Sequence, residues 1–131
     1  MPDSKNPRPI AVTLGDPAGV GPEVTARAWA ARNDHDLSPF VAIGDLASIA
    51  AVWNGPVARV GDIAEVAPLF DEALPVWHLE DSGPVVPGSP SKAGATCALH
   101  ALETGIGLTR GQASGALVTG PVSKAQLYGI G

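Results

Sequence analysis

The chain has 131 residues, which suits one compact domain better than two. Apolar residues make up 45% and charged residues 16%, so there is enough apolar material for a packed core, and disorder of the whole chain is excluded. The net charge of −5 argues against nucleic acid and anionic membranes as partners, whereas a phosphorylated small molecule would need only a local group of donors.

The cysteine content and the charge distribution predict a cytoplasmic protein. Cys97 is the single cysteine, so no disulfide can form within the chain. Asp3, Asp16 and Glu23 interrupt the start, which argues against a signal peptide. The longest uncharged stretches have 13 residues, too few to span a bilayer.

Strands and helices alternate along the first half of the chain. Residues 1–8 are polar and rich in proline, and we expect a flexible arm there. An apolar run at 9–14 predicts a strand, and a glycine-rich loop separates it from a helix that begins at Pro22. The same pattern then predicts strands at 39–43, 56–60 and 76–79, and a helix at 46–53. Residues 62–74 are ambiguous, because Pro68 interrupts a helical spacing.

The second half begins with a break at 81–91, rich in proline and glycine, which predicts a loop or a crossing between lobes. A long helix should follow from Ser91 to about Arg110. Residues 115–119 predict a buried strand, and a last helix should begin near Ser123. The expected apolar stripe of the long helix consists of Ala95, Ala98, Leu99, Leu102 and Ile106. This order predicts an α/β fold with a mainly parallel sheet and flanking helices.

The loop from Gly15 to Gly21 is the most informative motif. Glycines between a strand and a helix allow backbone N–H groups to approach a phosphate or carboxylate, and the helix dipole adds attraction. The spacing differs from that of the dinucleotide fingerprint and of the P-loop. A tight turn without a ligand explains the same residues equally well. Asp16 and Asp45 both follow predicted strands, where they could contact a ligand or cap a helix.

A second cluster, Thr119 to Lys124, follows the last predicted strand. Thr119, Ser123 and Lys124 offer two hydroxyls and a cation where α/β sheets bind ligands, a set suited to a phosphate. The alternative is a helix cap by Ser123 with a solvated Lys124.

The histidines and the cysteine favour structural roles. His35 lies in a polar segment typical of a solvated turn, and His78 lies in a predicted strand. His100 and Glu103 are three residues apart on the long helix, but two ligands without a third make no metal site. Cys97 lies opposite the expected stripe, and we interpret it as a packed small residue.

Three segments resemble one family. Residues 15–23 (GDPAGVGPE) and 116–124 (ALVTGPVSK) resemble two motifs of the 4-hydroxythreonine-4-phosphate dehydrogenases, and 87–91 (PGSPS) resembles the loop before their long helix. The likeness covers the whole chain in order. The first motif also resembles the G-D-G-I-G-P-E of the isocitrate and isopropylmalate dehydrogenases, and the resemblance implies their fold.

The resemblance implies the N-terminal part of an enzyme of pyridoxal phosphate (vitamin B6) biosynthesis. Such an enzyme oxidises and decarboxylates 4-phosphooxy-L-threonine with NAD, or NADP, and a divalent metal (Zn, Mg or Co), and it works as a homodimer. It also implies that Asp16 and Gly19 bind the cofactor and that Thr119 and Lys124 bind the substrate. The catalytic residues are not assigned.

The chain departs from the family pattern by its length. The family's three metal-binding histidines lie beyond residue 131, so no histidine here is assigned to a metal, and the 131-residue chain alone is expected to be inactive. The resemblance implies that 9–80 form the first part of one lobe and that 92–131 start a second, truncated lobe. Two alternatives remain open: a related dehydrogenase of another four-carbon phosphorylated acid, or a non-catalytic module that binds a phosphorylated metabolite or a partner.

Overall fold

Five parallel strands form one sheet in this computed structural model, which describes residues 8–79 and 91–120. The order across the sheet is β3-β4-β2-β1-β5. The strands are β1 (Ile10–Thr13), β2 (Phe40–Gly44), β3 (Val57–Arg59), β4 (Leu74–His78) and β5 (Ala116–Thr119). The predicted α/β class with a mainly parallel sheet is confirmed.

Four α-helices connect these strands in the described part of the chain: α1 (Gly21–Ala30), α2 (Leu46–Ala50), α3 (Val66–Leu69) and α4 (Lys92–Arg110). A 3-10 turn, Ile63–Glu65, precedes α3. Pro68 is tolerated in α3 because the N–H groups of a helix's first turn have no intrahelical partner. The ambiguous stretch therefore forms a short helix, and α2 ends three residues earlier than predicted.

The core is divided between the two faces of the sheet. One apolar cluster joins Phe40 and Val76 of the sheet to Trp29 of α1 and Ile49 of α2. The other joins Val41 and Ile43 to Val66 of α3 and Ala101 of α4. Because side chains alternate along a strand, α1 and α2 cover one face and α3 and α4 the other.

The buried face of α4 includes Ala95 and Ala98 of the predicted stripe but not its larger residues. It consists of small residues, Gly94, Ala95, Cys97, Ala98, Ala101 and Gly105. Leu99 and Leu102 are only half-buried, and Ile106 is 36% exposed. A Cβ on Gly105 would lie 2.7 Å from Leu117 Cδ1, so α4 approaches the sheet too closely for large side chains. Cys97 is buried and packed as predicted, but on the sheet-facing side.

The strand at 116–119 forms as predicted, but it is not buried. Only Leu117 is partly covered, and Val118 is 53% exposed, because β5 is an edge strand among the described residues. β5 pairs in register with β1, Ile10 facing Ala116 and Thr13 facing Thr119. Residues 92–120 thus share a sheet with 9–79. The division into lobes stays a prediction about the whole protein.

Candidate functional site

The carboxyl ends of β1 and β5 lie side by side. The two neighbours of β1 in the sheet are β2 and β5. The helix that leads into β2 from β1, α1, covers one face of the sheet, whereas the helix that leads into β5, α4, covers the opposite face. Two adjacent strands whose connections diverge in this way form a topological switch point, the place where open α/β sheets bind ligands. This position makes the end of β1 the best candidate for a site.

The loop after β1 is held by its own aspartate. Gly15 adopts a φ of 74°, which favours glycine. Asp16 Oδ1 accepts a hydrogen bond of 2.9 Å from the Ala18 N–H, and the Asp16 carbonyl accepts one of 2.9 Å from the Gly19 N–H. The Gly19 N–H therefore already donates a hydrogen bond within the loop. This part of the motif fits the interpretation as a tight turn.

One atom of the loop has no partner among the described residues. The Asp16 side chain is buried, with 5% of the residue exposed, and its Oδ2 makes no hydrogen bond there. An unpaired buried carboxylate oxygen is costly, typically by about 1–3 kcal/mol. It is suited to accept a hydrogen bond from a hydroxyl or ammonium group that lies outside residues 8–79 and 91–120.

The start of α4 packs directly on this loop. A Cβ on Gly94 would lie 3.3 Å from Pro17 Cδ and 3.4 Å from Asp16 Oδ1. Ser91 caps the helix, its Oγ accepting a bond of 3.0 Å from the Gly94 N–H. The sequence predicted that the helix begins at Ser91, but not that Gly94 touches the loop. Only the tertiary packing brings these segments together.

Thr119 ends β5 beside the same loop, and it is exposed. The next N–H, that of Gly120, donates to the Thr13 carbonyl at 2.7 Å, which fixes the end of β5 against the end of β1. Thr119, Asp16 and Gly19 therefore lie at one edge of the sheet. Ser123 and Lys124 lie outside the described residues.

Asp45 and His78 occupy the other half of this edge. Asp45 caps α2, its Oδ1 accepting a bond of 3.0 Å from the Ala47 N–H. His78 Nδ1 accepts a bond of 3.1 Å from the Leu46 N–H, a contact that sequence reasoning missed. The only signal for it was that His78 lies in a predicted strand and that Leu46 begins the helix after another. The structural roles expected for these residues agree with their contacts.

The remaining candidates are distributed over the surface. His35 is exposed in the turn after α1, as predicted, and His100 and Glu103 are exposed on α4. Within residues 8–79 and 91–120, no three histidine, cysteine or acidic side chains are grouped to hold a metal ion. No helix in these ranges is long and apolar enough to cross a membrane.

No protein-family model matches the chain. Among curated proteins, it is 53% identical over 125 residues to a 4-hydroxythreonine-4-phosphate dehydrogenase of Zymomonas mobilis, a match of 95% of this chain and 37% of that protein. It is 43% identical over 125 residues to the enzyme of that name from Caulobacter vibrioides, with the same shares of the two chains.

The fold comparison agrees with the sequence comparison. A crystal structure of 4-hydroxythreonine-4-phosphate dehydrogenase from Klebsiella pneumoniae superposes with a TM-score of 0.77 at 23% identity, over 95% of this chain and 40% of that one. A terephthalate 1,2-cis-dihydrodiol dehydrogenase from Burkholderia xenovorans gives 0.71 at 21% identity, over 94% and 37%. The chain thus spans about 37% of the length of the curated relatives it matches. By its sequence, with a fold that agrees, the chain is homologous to one part of the 4-hydroxythreonine-4-phosphate dehydrogenases.

Proposed function

We propose that this chain is part of an NAD-dependent, divalent-metal-dependent dehydrogenase of 4-phosphooxy-L-threonine, acting in pyridoxal phosphate biosynthesis. The observation that carries the proposal is the sequence identity of 53% over 125 residues to a protein named 4-hydroxythreonine-4-phosphate dehydrogenase. In the reaction, the secondary alcohol loses a hydride to NAD⁺ and a proton to solvent. The ketone formed then loses its β-carboxylate as carbon dioxide.

The end of β1 is the part of this chain that fits the cofactor. The buried Asp16 Oδ2 needs a donor, and a ribose hydroxyl of a nicotinamide dinucleotide supplies one. Bound there, NAD would supply the hydride acceptor. Gly19 is exposed beside Asp16, so a ligand at the loop can approach its backbone.

The substrate side of the proposal rests on Thr119 and Lys124. Thr119 has its exposed hydroxyl at the edge that carries Asp16. Lys124 follows five residues later, and its ammonium group suits the substrate phosphate. The divalent metal does not fit the described residues, which group no three suitable ligands, so its ligands would come from elsewhere in the protein.

We also propose that the protein is a cytoplasmic homodimer, as the sequence and its resemblance to the family imply. Size-exclusion chromatography with light scattering on the protein expressed from its complete reading frame measures the dimer. Fractionation of the source cells tests the location.

The decisive experiment uses that same protein. NADH formation from 4-phosphooxy-L-threonine is expected to require both NAD and a divalent metal. Turnover of another four-carbon phosphorylated acid in its place would identify a related dehydrogenase. Saturable binding of phosphorylated metabolites without any turnover would favour a binding module and contradict the proposal.

Single substitutions test the residue roles. Asp16→Asn keeps an acceptor for Ala18 but replaces the carboxylate, and is expected to weaken NAD binding about tenfold in calorimetry. Asp34→Asn, in the exposed turn after α1, is the matched control. Lys124→Ala and Thr119→Val are expected to raise KM for the substrate more than they lower kcat. An unchanged KM in Lys124→Ala would remove it from the site.

A further inference from the structure

An apolar groove runs along the face of the sheet beside α1. Its volume is about 470 Å³, and it is bounded by α1, by β1 and β5, and by the loop before β2. Five large apolar side chains are exposed in residues 8–79 and 91–120, and three of them, Val24, Leu37 and Val118, line this groove. An exposed apolar patch of this kind marks a contact surface. Nothing in the proposed dehydrogenase function uses it.

The alternation of side chains along β5 explains why this face is open. Leu117 packs under α4, where a Cβ on Gly105 would lie 2.7 Å from its Cδ1. Val118 therefore lies on the opposite face, the one that carries α1. On that face Val118 is 53% exposed, and Ile10 and Val12 of β1 are only partly buried. The outer part of the sheet is thus covered by α4 on one side and open on the other.

The chain leaves β5 at one end of the groove. The Gly120 N–H donates to the Thr13 carbonyl at 2.7 Å, which fixes the exit of β5 beside the carboxyl end of β1. Val118, which lines the groove, comes only two residues before Gly120. The open apolar face is therefore within immediate reach of the segment that follows, residues 121–131.

The sequence of residues 121–131 suits the groove in polarity and in length. This segment lies outside the described residues, and Lys124 is its one charged residue. The sequence predicts a helix from about Ser123, on which Leu127 and Ile130 share a face because they are three residues apart. Residues 123–130 would rise by about 11 Å as a helix, whereas the 4 residues of β1 span about 10 Å.

We propose that residues 121–131 pack as a helix into this groove, beside α1. The helix begins at the carboxyl edge of the sheet and runs back along β5, antiparallel to it. Leu127 then contacts Val24 and Val118, and Ile130 lies farther along the groove. The contact removes these exposed valines from water, which is the driving force for it. The first turn of the helix stays at the edge where the proposed substrate site lies.

The first test measures whether the groove is covered, in the protein expressed from its complete reading frame. Val24→Cys and Val20→Cys replace two valines of equal exposure, 59% each, of which Val24 lines the groove. N-ethylmaleimide labels the thiols, and mass spectrometry of the peptide distinguishes the new cysteine from Cys97. We expect Val24→Cys to react at least about tenfold more slowly than the control Val20→Cys. Labelling of Val24→Cys as fast as in the urea-unfolded protein would overturn the proposal.

A second substitution tests whether residues 121–131 are the cover. In the Val24→Cys protein, Leu127→Asp is expected to accelerate labelling about tenfold, because a carboxylate in an apolar groove is unfavourable. Ala125→Asp is the matched control, since Ala125 lies on the opposite side of the predicted helix and should leave the labelling rate unchanged. Equal rates in the two variants would contradict the proposal.

Disulfide trapping gives an answer that does not depend on a destabilising substitution. Under mild oxidation, the double variant Val24→Cys/Leu127→Cys is expected to form a disulfide within one chain, whereas Val24→Cys/Ala125→Cys is not. A disulfide between two chains would identify a second copy as the occupant of the groove. Protection of Val24→Cys without any cross-link would identify another part of the protein. Either result would overturn the assignment to residues 121–131.

Discussion

Gly21, the first residue of α1, provides the sharpest test of how the β1 loop is built. A Cβ at this position would lie 1.9 Å from the carbonyl oxygen of Leu14. Such contacts are essentially never below 3.0 Å, so Gly21→Ala forces the two backbones apart by about 1 Å. The Leu14 N–H bonds to the Ile43 carbonyl of β2 at 3.0 Å, so the strand end cannot move without disturbing the sheet.

The magnitude follows from this forced displacement. Overpacking of a rigid site costs about 1–3 kcal/mol. The cost here should lie near the upper end of that range, because the contacted atom belongs to the backbone and cannot rotate away as a side chain can. We expect the free energy of unfolding to fall by about 2–3 kcal/mol. For a domain of this size the melting temperature should then fall by about 10 °C. Urea denaturation followed by tryptophan fluorescence measures the free energy, and calorimetry measures the melting temperature.

Gly107→Ala is the matched control for this substitution. It makes the same chemical change, but apart from the adjoining residues and the backbone of its own helix, no atom of residues 8–79 and 91–120 lies within 4 Å of the added Cβ. The control should stabilise the chain by about 0.5–1 kcal/mol, because alanine favours the helix interior. Suppose that Gly21→Ala lowers the free energy of unfolding by less than about 0.5 kcal/mol while the control behaves as expected. The close contact between the start of α1 and Leu14 would then be refuted.

Three further substitutions test the packing around the site, each by urea denaturation. Trp29→Phe removes the buried 2.7 Å bond from Nε1 to the Phe70 carbonyl, and should lower stability by about 2–3 kcal/mol; a loss below 1 kcal/mol would contradict that bond. Asp45→Ala should cost about 1–2 kcal/mol and Asp45→Asn much less, since asparagine also caps a helix; equal losses would show that the cap is not the cause. Ser91→Ala should cost about 1 kcal/mol and Ser91→Asp almost nothing, so a destabilised Ser91→Asp would argue against the capping role.

Local signals in the sequence were enough to predict most of the helices and strands. The proline at Pro22 and the serine at Ser91 each mark a helix start, because both act within one turn of their own position. The family resemblance was also carried by local motifs, the GDPAGVGPE and ALVTGPVSK segments, and the curated relatives agree with it. The site roles of Asp16, Gly19, Thr119 and Lys124 stay predictions.

Contacts between segments far apart in the sequence could not be predicted and were seen only in the tertiary structure. The sequence alone determined a series of strands and helices, but not that β1 lies between β2 and β5. The predicted buried face of α4 was right for Ala95 and Ala98 but wrong for its larger residues. The helix lies so close to the sheet that only small side chains fit between them, and hydrophobic periodicity does not reveal that distance. The exposure of β5 and the bond from Leu46 to His78 likewise depend on which neighbour each strand acquires, a choice made by packing over the whole chain.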